Sequence, residues 1–146
     1  MKAPKPATIQ WNGSACTLFF AYNGPDLEWQ FDANENPIRP GGRSLAVALS
    51  DGLASTGMET SDVNQHSYFG WSFTTVVFPY RIYHVANCVG SDVALTADFK
   101  GPLSHIIFRK KRGRFQEEYL RRLIDVLCSI PSTFRLPQEA QIFSEG

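Results

Sequence analysis

The stretch Tyr68 to Phe78, Tyr-Phe-Gly-Trp-Ser-Phe-Thr-Thr-Val-Val-Phe, limits the folds open to this chain more than any other. Phe69, Trp71, Phe73 and Val77 recur in it at even spacing. A β-strand turns alternate side chains to opposite faces, so these four line one buried surface. Gly70, Ser72 and Thr74 fall on the other face, which Tyr68, Val76 and Phe78 make apolar at its two ends. The pattern predicts the central strand of a sheet.

Around it the chain reads as short strands joined by turns. Asn12-Gly13 separates Ala7–Trp11 from Ala15–Tyr22, and Asn-Gly between two such runs predicts a hairpin with both residues at the positive φ of a type I′ turn. Asn23-Gly24-Pro25-Asp26 turns the chain again, and Leu27, Trp29 and Phe31 alternate with Glu28 and Gln30, which predicts a third strand of an N-terminal meander. Residues 32 to 43 are turn-rich and predict no regular element. Leu45, Ala48, Leu49 and Leu53 predict a helix that follows Ser44 and is capped by Gly57, with Gly52 inside it costing about 1 kcal/mol relative to alanine. A polar loop from Glu59 to Ser67 leads to the central strand.

Beyond Phe78 three more strands are expected at Ile82–Val89, Val93–Phe99 and Leu103–Arg109, with turns at Gly90-Ser91-Asp92 and Lys100-Gly101-Pro102. A basic turn ending at Gly113 then opens a helix over Arg114–Ser129, with Phe115, Tyr119, Leu123, Val126, Leu127 and Ile130 on one face and Glu117, Glu118, Arg121, Arg122 and Asp125 on the other. Pro131 stops it, and Ala140–Phe143 is expected to add a short strand. The order βββ-α-ββββ-α, with short connections, predicts a single α+β domain over residues 1–146. It is an antiparallel sheet of six to seven strands with both helices on one face.

Composition bounds the function. With 146 residues, 43 % of them apolar, the chain is large enough to bury a core without disulfides or metal. Cys16, Cys88 and Cys128 are scattered through apolar stretches and read as buried, reduced thiols. No run approaches the roughly 20 apolar residues that cross a bilayer, and no apolar stretch precedes Cys16 to make a leader, so the expected compartment is the cytoplasm and no membrane partner is expected. Net charge is formally zero, which argues against a nucleic-acid partner, but it is unevenly spread. Residues 31–66 carry five acids against two arginines, and residues 100–146 carry nine Lys or Arg against five acids.

No catalytic signature emerges. His84 and Cys88 lie about 13 Å apart on a strand, too far to share a metal ion. His105 could face Thr96 or Asp98 across the Lys100-Gly101 turn, the latter giving an Asp–His pair, yet no nucleophile or oxyanion loop accompanies it. Pro40-Gly41-Gly42-Arg43 lacks the ending of a phosphate loop. The chain is therefore expected to be no enzyme and to carry no cofactor. Two charged candidates remain. Arg109, Lys110, Lys111, Arg112 and Arg114 would form an anion site, and Asp26, Glu28, Asp32 and Glu35 around Trp29, with Glu59 and Asp62, would form an acidic surface with an aromatic anchor.

The layout, with Tyr68-Phe69-Gly70-Trp71-Ser72-Phe73 after a helix and polar loop, then a meander and the Phe115–Ile130 helix, resembles small bacterial immunity proteins that neutralise contact-dependent or type VI secreted toxins. The resemblance spans most of the chain, and its motif is Tyr-x-Gly-Trp-x-Phe. It implies a binding protein that occludes a cognate toxin, and it transfers no functional residue. A secretion chaperone holding a client on its sheet, or a small ligand-binding domain, are the other classes this layout admits.

Overall fold

The computed structural model describes residues 8–67, 69–102 and 109–136, residues 109–112 by backbone alone. The architecture is α+β. Strands β1 (Thr8–Asn12) and β2 (Ala15–Tyr22) form the first hairpin, and β3 (Gln30–Phe31) and β4 (Pro37–Arg39) follow. Next come helix α1 (Arg43–Ser55), β5 (Glu59–Thr60), β6 (Asn64–His66), β7 (Gly70–Val77), β8 (Tyr80–Val89), β9 (Asp92–Lys100), helix α2 (Arg109–Ser129) and β10 (Thr133–Phe134). Among the described residues eight strands make one antiparallel sheet in the order β1-β2-β9-β8-β7-β5, with β10 on β2 and β6 on β7.

Register explains the core. Leu18, Leu95, Ala86 and Trp71 lie side by side across four strands, and the next inward row is Cys16, Ala97, His84 and Phe73. All eight are buried. Helix α2 covers this face through Tyr119, Leu120, Leu123, Val126 and Leu127, with the Phe115 ring stacked 4.0 Å over Tyr80. Helix α1 adds Leu45, Ala46, Leu49 and Leu53. The opposite face carries Thr17, Phe19, Val85 and Thr96, all partly exposed.

Two turns follow from glycine. The loops between β1 and β2 and between β8 and β9 are the pairs Gly13-Ser14 and Gly90-Ser91, with positive φ on the glycine alone, 62° and 60°. Glycine first in a two-residue loop suits a type II′ turn, whose twist matches the strands. The first hairpin is therefore not the type I′ turn expected at Asn12-Gly13: Asn12 pairs with Ala15 as the last residue of β1. Helix α1 ends as Gly57 predicts. The Gly57 and Met58 amides donate to Ala54 and Leu53, and buried Met58 follows the cap.

Gly52 has a packing reason. A Cβ there would lie 2.4 Å from Val126 Cγ1, so the helices approach each other over a bare backbone. Gly52→Ala gains helix propensity but overpacks this contact, a cost of about 1–3 kcal/mol. The expected net result is a lower midpoint in urea, with part of the loss recovered by adding Val126→Ala.

Several expected elements differ. Leu27–Phe31 does not join the main sheet. Only Gln30–Phe31 is a strand, and it pairs with Pro37–Arg39 in a separate ribbon, because the Asp32 carboxylate accepts the Asn34 and Asn36 amides at 2.8 and 2.9 Å and turns the chain back. The expected central strand is β7, but it lies next to the sheet edge, with β8 and β9 in the middle. The loop before it supplies the short edge strands β5 and β6, whose polar residues carry no apolar period. Phe69 is 61 % exposed, since it sits in the turn closed by its amide on His66 O. The basic run does not form a turn: Arg109 already opens α2, for Lys and Arg are good helix formers and one glycine is tolerated. The remainder of the expected strand at Leu103–Arg109 and the strand at Ala140–Phe143 lie outside the described residues, as does His105.

Cys128 is exposed, against the expectation of three buried thiols, because it falls on the outer side of α2. Burial pushes the Cys16 and Cys88 thiols up to about 12 and about 11, the latter with help from the Asp26 charge. A native-state thiol titration at pH 8 is therefore expected to find one fast equivalent, with the other two released by denaturant.

Candidate functional site

The segment from Asp26 to Gly42 is where the described polar candidates meet exposed apolar side chains. It is a built ribbon. The Trp29 indole N–H donates to Cys88 O at 2.8 Å, and the Trp71 indole N–H donates to Pro40 O at 3.0 Å. The Gln65 amide donates both to Ile38 O at 2.8 Å and to Ser67 O at 2.7 Å, which ties the ribbon to the turn after β6. Asp26, at φ 65°, accepts the Gly42 amide on its carbonyl and pairs with Arg39 at 3.1 Å.

The Pro40-Gly41-Gly42 stretch allows this close seating. A Cβ on Gly41 would meet Leu27 O at 2.2 Å, and one on Gly42, already at φ 100°, would meet Cys88 Sγ at 2.4 Å. Arg39 and Arg43 place their guanidinium groups 5.2 and 5.8 Å from the centre of the Trp71 ring, a double cation–π contact.

The acidic candidates divide. Asp26 is held by Arg39, and Asp32 shapes the turn, its pKa lowered by the Asn36 and Asn34 amides. Glu28 and Glu35 are exposed. Trp29 is half-buried with its N–H engaged, and its ring stacks on Phe31 at 6.4 Å, so Phe31 rather than Trp29 is the aromatic group turned outward. Glu59 lies opposite Val76, about 16 Å along β7 from Trp71 at roughly 3.3 Å per residue, and exposed Asp62 follows on the same edge. The structure thus brings Asp26, Glu28, Trp29, Asp32 and Glu35 together and sets Glu59 apart, with Asp62 between it and β6. Exposed Ile38 and Phe69, which sequence reasoning did not single out as site residues, join the first group. Of the basic candidates Arg109, Lys110, Lys111, Arg112 and Arg114, all stand in the first turns of α2.

His84 sits in the core. Its ring stacks on Phe73 at 4.4 Å, Nδ1–H donates to Phe73 O at 3.4 Å, and Nε2 accepts from the Tyr119 hydroxyl at 2.7 Å. The Thr75 hydroxyl completes the chain by donating to Tyr119 at 2.7 Å. Burial holds the His84 pKa down to about 3 and pushes the Tyr119 phenol up. Asp98 is bonded to Ser14 at 2.9 Å and paired with Lys100 at 3.2 Å. His66 Nδ1 lies 2.9 Å from the Tyr83 hydroxyl. A cleft of about 420 Å³ opens between the C-terminal parts of α1 and α2, but its Ser55, Thr56 and Ser129 hydroxyls each bond a carbonyl of their own helix.

Among the described residues no three His, Cys, Asp or Glu side chains cluster as metal ligands, and no helix is long and apolar enough to cross a membrane. Compared with protein families, with curated proteins and with solved structures, the chain shows no significant match to any of them.

Proposed function

We propose that this chain is a non-enzymatic binding protein that neutralises a cognate bacterial toxin in the cytoplasm by covering it with a charged surface patch. The observation that supports this reading best is the ribbon of Asp26 to Gly42, where Glu28, Asp32 and Glu35 flank exposed apolar side chains on a ribbon fixed by side-chain-to-carbonyl hydrogen bonds. Acids around an apolar centre speed encounter with a cationic partner and select against others. A candidate toxin encoded beside this chain should be inhibited in vitro by a stoichiometric amount of it, and co-expression of the two should restore growth. Full toxin activity in a molar excess of the folded chain would discard the reading.

A second reading, a secretion chaperone or adaptor, is favoured by the sheet face of Thr17, Phe19, Val85 and Thr96, which lies opposite the helices. It predicts binding to an isolated unfolded client peptide, whereas the toxin-binding reading requires the folded toxin domain.

A further inference from the structure

Resting on the toxin-binding reading, we infer that the contact is made by one end of the sheet, the β3–β4 ribbon with the adjoining His66–Phe69 turn, and that the surface it meets is a cationic face of a folded protein with a hollow for Phe31 and Ile38. Phe31, Ile38, Phe69 and Val89 are 56, 51, 61 and 68 % exposed, and all four belong to this end. Val89 directly follows Cys88, whose carbonyl anchors Trp29. Phe69 lies two residues before Trp71, whose indole anchors Pro40. Exposed apolar groups collected in this way mark interaction sites on a protein surface.

Their outward direction is built in. Arg39 turns inward over Trp71 and onto Asp26, so strand alternation sends its neighbour Ile38 outward. Phe31 is propped from beneath by the Trp29 ring. A ribbon already fixed by bonds to Cys88, Pro40, Ile38 and Ser67 loses little freedom on docking, so more of its contact energy appears as affinity.

Charge decides the occupant. Glu28, Asp32 and Glu35 form no ion pair among the described residues, and the Asp26–Arg39 pair is internally neutral. Exposed Arg43 over Trp71 offsets one of the three carboxylates, so negative charge prevails. A second copy docking through the same patch would set these carboxylates against one another across a two-fold axis. A cationic partner meets them with complementary charge.

The test uses the purified full chain, in three variants that change exposed side chains, against the folded domain of a candidate toxin encoded beside it. Phe31→Ala with Ile38→Ala should raise Kd about 30-fold or more, the effect of losing a 2 kcal/mol anchor. Glu28→Lys with Glu35→Lys should slow association about tenfold or more and remove its salt dependence. Glu59→Lys, on the β7 edge opposite Val76, should leave Kd within about threefold, as for a site outside the contact. Equal toxin affinity in all three variants would place the contact elsewhere and overturn the ribbon assignment, leaving the toxin-binding reading standing. A wild-type chain that does not bind the toxin overturns both. A concentration-dependent dimer dissolved by the Phe31 and Ile38 changes would make the occupant a second copy and overturn the cationic partner.

Discussion

Trp71→Ala is expected to lower stability by about 3–5 kcal/mol, the range for emptying a large aromatic core site. Trp71 is 7 % exposed and lies in the row with Ala86, Leu95 and Leu18, so truncation opens a void in the core. It also removes the donor to Pro40 O and the surface on which Arg39 and Arg43 rest. The loss should therefore reach the ribbon, and Trp71→Phe, which refills most of the volume but not the hydrogen bond, separates the two parts. Urea unfolding should rank wild type above Trp71→Phe above Trp71→Ala. A variant Trp71→Ala that melts with the wild type would show that the indole carries no part of the core.

The second large effect is on pH. His84 is neutral in the folded chain, with its pKa near 3, against about 6.5 when unfolded. Between those values the unfolded chain binds a proton that the folded chain does not, so stability falls as the pH falls. The stability due to this group is fully present above about pH 6.5 and declines by about 1.4 kcal/mol per pH unit below it, roughly 2 kcal/mol by pH 5. Burial is the main cause, reinforced by a hydrogen-bond chain in which Nε2 must accept from Tyr119 while Thr75 donates to the same phenol. Protonating Nε2 would turn two donors toward each other and leave Tyr119 to redirect its own. Unfolding free energies measured between pH 4.5 and 7.5 should show a steeper slope for the wild type than for His84→Leu/Tyr119→Phe, in which the group and its partner are both gone. Equal slopes would mean that His84 takes up its proton without opening the core.

These two residues also show what the amino-acid order made legible. Trp71 announced itself through its even spacing with Phe73 and Val77 in an eight-residue strand, though Thr75 interrupts the series, and the apolar stripe of Phe115 to Ile130 did the same for α2. That β7 lies next to the sheet edge, with β8 and β9 in the middle, was not legible. Gly13, Gly57 and Gly90 were readable because a positive φ is a local demand. The His84 chain was not, since it joins Phe73, Thr75 and Tyr119 through register and helix docking.

The ribbon was hidden for the same reason. Two- and three-residue strands have no period, and Asp32 to Arg43 carries the Gly, Pro and Asn of an irregular loop. What orders it comes from residues far along the chain, Gln65 on Ile38, Trp71 on Pro40 and Cys88 on Trp29. The acids of the candidate site were visible as charge, but which of them stand together was not. Glu59 and Asp62 fall on the β7 edge because β5 pairs with Val76 and Thr75, a pairing that polar residues give no sign of. Ile38 stands between Pro37 and Arg39 in that irregular run, and its exposure follows only from Arg39 turning inward.

Hydrogen exchange of the chain, free and saturated with the folded toxin domain, tests the central claim most directly. Slowed exchange confined to amides of residues 28–39 and 64–71, with the β7 edge around Glu59 and the outer sheet face unchanged, is the predicted footprint. A footprint on strands β1, β2 and β9 that leaves the ribbon amides at their free rates would contradict it.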